Sequence, residues 1–376
     1  MAAAADSETL SLMDLLIQSE ELEEELFLIE QGYKKVEKLG NCLQGSFHKA
    51  WRFSDDEKAD PEATRSAVVI KQVSKALHAD SIAIQDGCTI FVDEDILSEA
   101  AILKRLHSNH DALRNYIIDY VDFFESDTDY YLVLEYVDSH TTLKRFVHTA
   151  HQFVAAGKLG LTAYRKMLKF VMWQLCTAVS WLHEKAKCAH LALNTDNIMV
   201  KNAHFHEQAD GSVQIDAAIS IKITGFGVAH QFGHEYGNEL GFECEKHRLS
   251  IDHELYLAPE VLADETGSYD ARKADHWAIG MVLFECITNQ PLFTAIDVMS
   301  KSNGYLALYS GANALRKHLK VNNLWRLFTP HVFALLLRLL HTECNQRVNG
   351  IQLLRHQWFH VYFNKYRRSI QSLFQQ

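Results

Sequence analysis

Four short stretches of the sequence carry residue types that could handle a phosphate group or a metal ion. They are LGNCLQGSF, AVVIK, HLALNTDNIMV and ITGFG, in that order along the chain. Glycines let backbone N–H groups approach a phosphate, a lysine supplies a positive charge, and amide or carboxylate oxygens ligate divalent cations. Each stretch alone is weak, because two glycines five residues apart usually mark only a strand turn. Their meaning depends on the elements that position them.

The first thirty or so residues predict an amphipathic helix with a glutamate-rich opposite face. Its apolar residues recur at near-helical spacing and are Leu12, Leu15, Leu16, Leu22, Leu26 and Ile29. Two interpretations are open. The helix packs on its own domain, or it docks a partner.

From about residue 33 the apolar period changes to two, which predicts antiparallel strands. A hairpin is expected at Asp86-Gly87, and a helix follows with Asp93 or Asp95 as its N-cap. After Tyr136 the pattern is mostly helical. Strands first and helices afterwards predict an α+β protein with segregated elements.

The order of these motifs resembles a eukaryotic protein kinase domain from about Tyr33 to about Phe363. The resemblance implies an α+β, bilobal protein kinase-like fold, with a small β-rich N-lobe that includes helix C and a larger α-helical C-lobe. The implied organisation is an N-terminal helical extension 1–32, an N-lobe 33–137, a C-lobe 138–363 and a C-terminal tail 364–376. Two insertions are expected, a hairpin at 78–92 and a segment at 201–220.

The resemblance also implies a nucleotide site. Lys71 matches the lysine that contacts phosphate, Glu99 its partner on helix C, and Leu134 the gatekeeper before the hinge. The complete set implied is Gly40, Gly45, Val69, Lys71, Glu99, Glu135, Val137, Asn197 and Met199. Cys42, Phe47 and Val69 replace smaller family residues and crowd this site. ATP is therefore expected to bind weakly or not at all, and magnesium is not expected.

Several catalytic positions of the family carry other residues here. Ala192 replaces the aspartate that accepts the substrate proton, Asn194 the lysine that neutralises the phosphoryl group, and Gly225 the metal-binding aspartate. Leu191 and His253 replace an arginine and a threonine of the same machinery. Because a methyl group has no lone pair, the general-base role at 192 is absent. These replacements predict a pseudokinase that is not an enzyme and acts as a scaffold or allosteric protein-interaction module.

The structural positions of the family are kept. Leu103, His190 and Phe226 match three apolar positions that tie the lobes together. Asp275 matches the helix aspartate that holds the catalytic loop. Glu260 and Arg347 match a buried ion pair. A buried pair that loses one partner is strongly destabilising, so such pairs are retained for reasons of fold.

Composition limits the partners. The net charge of −11 argues against nucleic acid or an anionic membrane, since both favour a basic face. The seven dispersed cysteines indicate reduced thiols, and no apolar run predicts a membrane span or export signal. We expect a cytoplasmic protein with protein partners and no metal site.

Two alternatives remain. One is a divergent but active Ser/Thr protein kinase in which a nearby carboxylate such as Asp196 replaces the lost base. The other is a purely structural subunit of a large assembly, with its nucleotide cleft occluded by Cys42, Phe47, Val69 and Met199.

Overall fold

A computed structural model describes residues 12–53, 65–85, 88–138, 141–232, 243–245, 255–262, 268–293 and 312–374. Contacts divide the chain into a first unit, Met1–Asp80 with Val121–Tyr136, and a second unit, Ser81–Tyr120 with Val137–Gln376. His253 and the Asp86-Gly87 turn lie outside the described residues.

The first unit contains a five-stranded sheet in the order β1-β2-β3-β7-β6. Its strands are β1 Tyr33–Cys42, β2 Gly45–Arg52, β3 Ser66–Ser74, β6 Tyr120–Glu125 and β7 Asp129–Glu135. The pairs β1–β2, β2–β3 and β3–β7 are antiparallel. Side chains on one face form the core of the unit, which includes Tyr33, Ala50, Val68, Ile70, Tyr131 and Val133. The β-rich region predicted from period-two patterning is therefore present.

The N-terminal helix α1, Leu12–Glu30, packs on this core through one face. Leu28 is buried, and the Phe27 ring lies 5.9 Å from that of Phe124 and 5.8 Å from that of Tyr131. Glu24 on the same side accepts a hydrogen bond from Lys35 Nζ at 2.5 Å. The helix thus packs on its own unit, which is the first of the two interpretations.

The turn between β1 and β2 is hydrogen-bonded to the short helix α2, Lys75–Ala79. Gln44 is buried, and its Nε2 donates to the Leu77 carbonyl at 3.1 Å. The Gln44 carbonyl accepts from the Ser74 N–H at 3.1 Å. A Cβ at Gly45 would lie 1.9 Å from the Gln72 carbonyl oxygen, whereas a Cβ at Gly40 would meet no described atom within 4 Å. The close approach of β2 to β3 therefore explains why position 45 is a glycine.

Replacing Gly45 with alanine is expected to lower the free energy of unfolding by about 1–3 kcal/mol, because the new methyl group overpacks against backbone. The matched variant Gly40→Ala is expected to stay within about 0.5 kcal/mol of the wild type. Chemical denaturation of both variants measures the difference. Equal stabilities would contradict this explanation of Gly45.

The second unit is mainly helical. Its helices are α3 Ile96–His107, α4 Leu143–Ala155, α5 Leu161–Glu184, α6 Pro259–Leu262, α7 Ala271–Thr288, α8 Ala312–Val321, α9 Pro330–Leu339, α10 Gly350–Leu354, α11 His360–Lys365 and α12 Arg367–Leu373. Single 3-10 turns occur at Ala112–Tyr116, Trp325–Leu327, Cys344–Gln346 and Gln357–Phe359. Most side chains of α5 and α7 are buried, so these two helices form the centre of the unit.

Short strands complete the second unit. They are β4 Ile82–Gln85, β5 Cys88–Phe91, β8 Thr141–Thr142, β9 Cys188–Ala189, β10 Ile198–Lys201, β11 Phe205–Glu207, β12 Val213–Ile215, β13 Ser220–Ile223, β14 His230–Gln231, β15 Glu243–Glu245 and β16 Ser268–Asp270. β4 pairs with β5 and β11 with β12, so each segment interpreted as an insertion contains an antiparallel hairpin. β10 lies between β8 and β13.

Helix α3 belongs to the second unit by its contacts. Two hydrogen bonds join it to residues 226–227 of the same unit. The Asp95 N–H donates to the Gly227 carbonyl at 2.8 Å, and Glu99 Oε1 accepts from the Phe226 N–H at 2.9 Å. Asp95 is also the N-cap, since its side chain accepts from the Leu97 N–H at 2.9 Å.

Within the described residues, no helix combines the length and the apolar character needed to cross a lipid bilayer.

Candidate active site

The loop that begins at His190 is held by one buried carboxylate, Asp275 of α7. Its Oδ2 accepts from the His190 N–H and its Oδ1 from the Leu191 N–H, both at 2.8 Å. His183 Nε2 of α5 lies 2.8 Å from the same Oδ2. Leu191 has a left-handed backbone with φ of 63°, which costs free energy for a non-glycine residue. Asp275 therefore holds the loop in a conformation that it would not adopt alone.

The His190 side chain is fixed in one tautomer by its two contacts. Nε2 donates to the Thr224 carbonyl at 3.0 Å, and Nδ1 accepts from the Ala192 N–H at 3.2 Å. The ring also meets Phe226 edge-on, with 4.6 Å between centroids. His190, Phe226 and Leu103 are all buried, and all three belong to the second unit.

Asn194 organises the second half of the loop, a role that the sequence interpretation missed. Its Oδ1 accepts from the Asp196 N–H at 2.9 Å and from the Asn197 N–H at 2.7 Å. Asn197 Nδ2 in turn donates to the Ala192 carbonyl at 2.8 Å. The available signal was Asn194 itself, because asparagine commonly caps its own backbone two or three residues on. The residue was interpreted only as a missing lysine.

Gly225 lies against Asn197. Its φ is 80°, and a Cβ there would lie 2.8 Å from the Asn197 side-chain Cγ. Because Asn197 is held by its bond to Ala192, a larger residue at 225 would have to displace it. The space that a carboxylate at this position would enter is occupied by the amide.

A second buried network ties the loop to α7, and the sequence did not reveal it. Thr195 Oγ1 lies 3.0 Å from Glu285 Oε2 and 3.1 Å from the Tyr256 hydroxyl, and that hydroxyl also donates to Glu285. Burial raises the pKa of the Glu285 carboxyl and of the Tyr256 phenol. A single glutamate inside the apolar run of α7 was the signal available.

A small pocket opens beside Ala192 within the second unit. Its lining is mostly apolar and includes Leu193, Leu257, Val261, Tyr269 and Ala278. Tyr256 also lines it and is held by Glu285. The pocket has room for about one water molecule.

Glu260 and Arg347 form a bidentate ion pair. Arg347 Nη1 and Nη2 donate to the two Glu260 oxygens at 2.6 and 2.9 Å. The same guanidinium donates to the carbonyls of Lys273 and His341 and stacks over the Trp277 ring at 5.2 Å. The pair predicted from the motifs is present, and its donors are satisfied by four acceptor atoms.

The residues of the predicted nucleotide set fall in both units. Gly40, Gly45, Val69, Lys71 and Glu135 belong to the first unit, and Glu99, Val137, Asn197 and Met199 to the second. Lys71 is buried in β3, opposite Phe47 of β2 and Leu132 of β7. Val69 lies opposite Leu134. Because paired residues share one face of a sheet, the Phe47 ring lies on the same face as the Lys71 side chain.

A family model for the protein kinase domain matches residues 33–359. The chain belongs to the protein kinase domain family.

Relatives of this kinase domain include "Serine/threonine-protein kinase chk-2" of Caenorhabditis elegans, 23% identical over 298 residues, with 79% of this chain and 52% of the relative covered. "Cyclin-dependent kinase B2-2" of Arabidopsis thaliana is 26% identical over 263 residues, covering 70% and 67%. "Putative ribosomal protein S6 kinase alpha-1" of C. elegans is 25% identical over 326 residues, covering 87% and 33%. The kinase domain thus spans about half the length of the first of these relatives.

These comparisons correct the prediction that the chain is not an enzyme. The family model and the relatives, which are named as kinases, group it with enzymes. Ala192 and Gly225 were given too much weight, because kinase catalysis rests mainly on positioning and electrostatics, with little covalent chemistry for side chains to perform. The hydrogen bonds of Asp275 and Asn194 still hold the loop in position.

Members of the family generally bind ATP with magnesium, and the residues here do not fit the metal well. Gly225 offers no carboxylate, so the side-chain oxygen of Asn197 is the ligand that the family pattern leaves for the metal. Its Nδ2 is not a metal ligand and donates to the Ala192 carbonyl at 2.8 Å. Across the described ranges, no three His, Cys, Asp or Glu residues group to hold a metal ion.

His276 follows Asp275 on α7 of the kinase domain and is buried. Among the described residues, neither of its ring nitrogens has a hydrogen-bond partner. Burial lowers the pKa of its imidazole well below 6.5, and the neighbouring His183 adds to the effect. The folded chain therefore keeps His276 neutral.

We expect His276→Leu to reduce acid sensitivity. Above pH 6.5 the residue is neutral in both states. Below pH 6.5 the His276 imidazole binds a proton in the unfolded chain but not in the folded chain. The free energy of unfolding therefore falls by up to about 1.4 kcal/mol per pH unit. Urea unfolding from pH 8 to pH 5 measures the slope, with His331→Leu on the surface as the matched control. A slope that changes equally in both variants would contradict the assignment.

Proposed function

We propose that the chain is a divergent serine/threonine protein kinase that transfers the terminal phosphoryl group of ATP to a protein hydroxyl at a low rate. The observation that carries this proposal is the loop from His190 to Asn197, which Asp275 and Asn194 hold in place. A loop held by Asp275 and Asn194 keeps its backbone fixed without further reorganisation. Fixed geometry is the main requirement of phosphoryl transfer.

The transfer forms a bond from the substrate oxygen to the terminal phosphorus and breaks the bond to the bridging oxygen of ADP. The hydroxyl proton leaves to a phosphate oxygen or to water, because Ala192 cannot accept it. The Asp196 carboxylate pairs with Lys144 Nζ of α4 at 2.8 Å, and both side chains are about half exposed. A missing general base lowers a rate by about 10²–10⁴-fold, which is why the proposed turnover is low.

The names of the relatives support a protein substrate for this chain. A cytoplasmic location is proposed from the scattered cysteines of the sequence.

Binding of ATP is the first requirement of this proposal, and thermal unfolding tests it. We expect saturating ATP to raise the melting temperature by about 1–3 °C, and Lys71→Ala to abolish the rise. Parallel runs with and without magnesium determine whether the metal contributes. No rise under any condition would remove the phosphoryl donor and with it the proposed reaction.

A second function, protein binding, is favoured by a specific observation. Helix α1 exposes Leu22, Leu26 and Ile29, although its opposite face is packed on the sheet. Scaffolding or allosteric control through this helix is compatible with phosphoryl transfer, because α1 is distant in sequence from the loop at His190.

A further inference from the structure

Helix α1 has two apolar faces. The inner one, with Phe27 and Leu28, packs on the core of the first unit. The outer one exposes Leu22, Leu26 and Ile29, with 57, 54 and 43% of their surfaces accessible. Residues spaced by four and then three positions lie on one side of a helix. The three form a continuous exposed stripe, which we call the outer seam.

The outer seam follows a heptad repeat. Leu26 takes an a position, and Leu22 and Ile29 take d positions. In the sequence the same register extends back through Ser19 at a, Leu15 at d and Leu12 at a. An a/d repeat of this kind is the seam of a coiled coil. Single exposed leucines are common on protein surfaces. Here the exposed apolar residues follow a heptad spacing on a helix whose opposite face already packs on the core of the first unit, and this indicates a partner helix.

Charges beside the outer seam select the partner. Glu25 takes the g position, and Glu23 and Glu30 take the e positions. All three are exposed. Glu25 lies 4.0 Å from Lys34 Nζ, and both side chains of that pair are about half exposed. Such a pair contributes little, so it does not neutralise the flank.

We propose that the outer seam binds an amphipathic α-helix of another protein that carries leucine-like residues at a and d and lysine or arginine at e and g. The e and g charges of a coiled coil set partner choice. A second copy of this chain would place glutamate against glutamate in either orientation, and like charges oppose association. The proposal deepens the protein-binding function and is independent of phosphoryl transfer.

Three synthetic peptides and the full chain test the proposal. The basic peptide has four heptads with Leu at a and d and Lys at e and g. The acidic peptide replaces Lys with Glu, and a scrambled basic peptide keeps the composition without the repeat. Binding is measured by fluorescence anisotropy for the wild type, for Leu22→Ser with Leu26→Ser, and for a control, Val321→Ser with Val361→Ser. The control valines are 71 and 68% exposed on other helices.

We expect the basic peptide to bind the wild type and the control alike. Removing two leucines from the seam should weaken binding at least about tenfold. Glu23→Lys with Glu30→Lys should transfer preference to the acidic peptide. The phosphoryl-transfer rate of the Leu22→Ser with Leu26→Ser variant should equal that of the wild type, so failure of one proposal is separable from failure of the other.

Several outcomes would overturn the proposal. One is binding of the scrambled peptide as tightly as the basic one, which would mean charge attraction alone. Another is unchanged binding by the seam variant, and a third is no binding of the basic peptide. A fourth outcome is self-association of the wild type in sedimentation that Leu22→Ser with Leu26→Ser abolishes. It would show that the outer seam binds a second copy of this chain and not another protein.

Discussion

Replacing Asp275 with alanine is expected to lower the free energy of unfolding by about 3–5 kcal/mol. The carboxylate is fully buried and accepts from His190, Leu191 and His183. Its removal leaves three buried donors without their acceptor. It also releases Leu191 from its left-handed conformation. Chemical denaturation at neutral pH measures the loss.

Two variants serve as controls for Asp275. The substitution Asp275→Asn keeps the shape of the side chain but leaves only one acceptor oxygen, so an intermediate loss is expected. Asp196→Ala removes an exposed carboxylate of the same loop, which pairs with Lys144 on the surface, and should cost less than about 1 kcal/mol. A loss at Asp275 no larger than that at Asp196 would contradict the role given to the buried carboxylate.

Arg347→Met is expected to cost about 3–5 kcal/mol, because it leaves the partly buried Glu260 carboxylate unpaired. The carbonyls of Lys273 and His341 lose their donor as well. Methionine retains most of the volume, so the cost reports on charge and hydrogen bonds more than on packing. Thermal and urea unfolding both measure it.

The matched control for Arg347 is Arg355→Met, which removes a guanidinium that stacks on the Phe363 ring at 5.9 Å on the surface. A change within about 0.5 kcal/mol is expected there. Adding Glu260→Gln to Arg347→Met should restore part of the loss, since no unpaired charge remains. A double variant as unstable as the sum of the two single ones would show that the pair is not coupled.

The order of motifs in the sequence was enough to predict the α+β kinase fold, and family membership confirms it. Asp275 and the Glu260–Arg347 pair were predicted from the same motifs, and both make the buried contacts described above. These residues were predicted because the resemblance to the kinase family matches each of them to a family position.

Other features depended on contacts that no local pattern encodes. The network of Thr195, Tyr256 and Glu285 joins positions up to 90 residues apart. Helix α3 makes hydrogen bonds to Phe226 and Gly227, which lie more than 120 residues further along the chain. Asn194 was interpreted only as the replacement of a lysine, and its capping of the turn at 194–197 was not predicted. The prediction that the chain is not an enzyme was wrong for a related reason. It considered the replaced catalytic side chains and left out the hydrogen bonds of Asp275 and Asn194 that hold the loop.

The most direct measurement is the initial rate of phosphate incorporation from labelled ATP into serine and threonine of a generic protein substrate. The wild type, Lys71→Met and Ala192→Asp are assayed side by side. We expect slow incorporation by the wild type, none by Lys71→Met, and a rate raised about 10²-fold or more by Ala192→Asp, because the braced loop then presents a base. Wild-type incorporation no greater than that of Lys71→Met would contradict the proposal that this domain is a kinase.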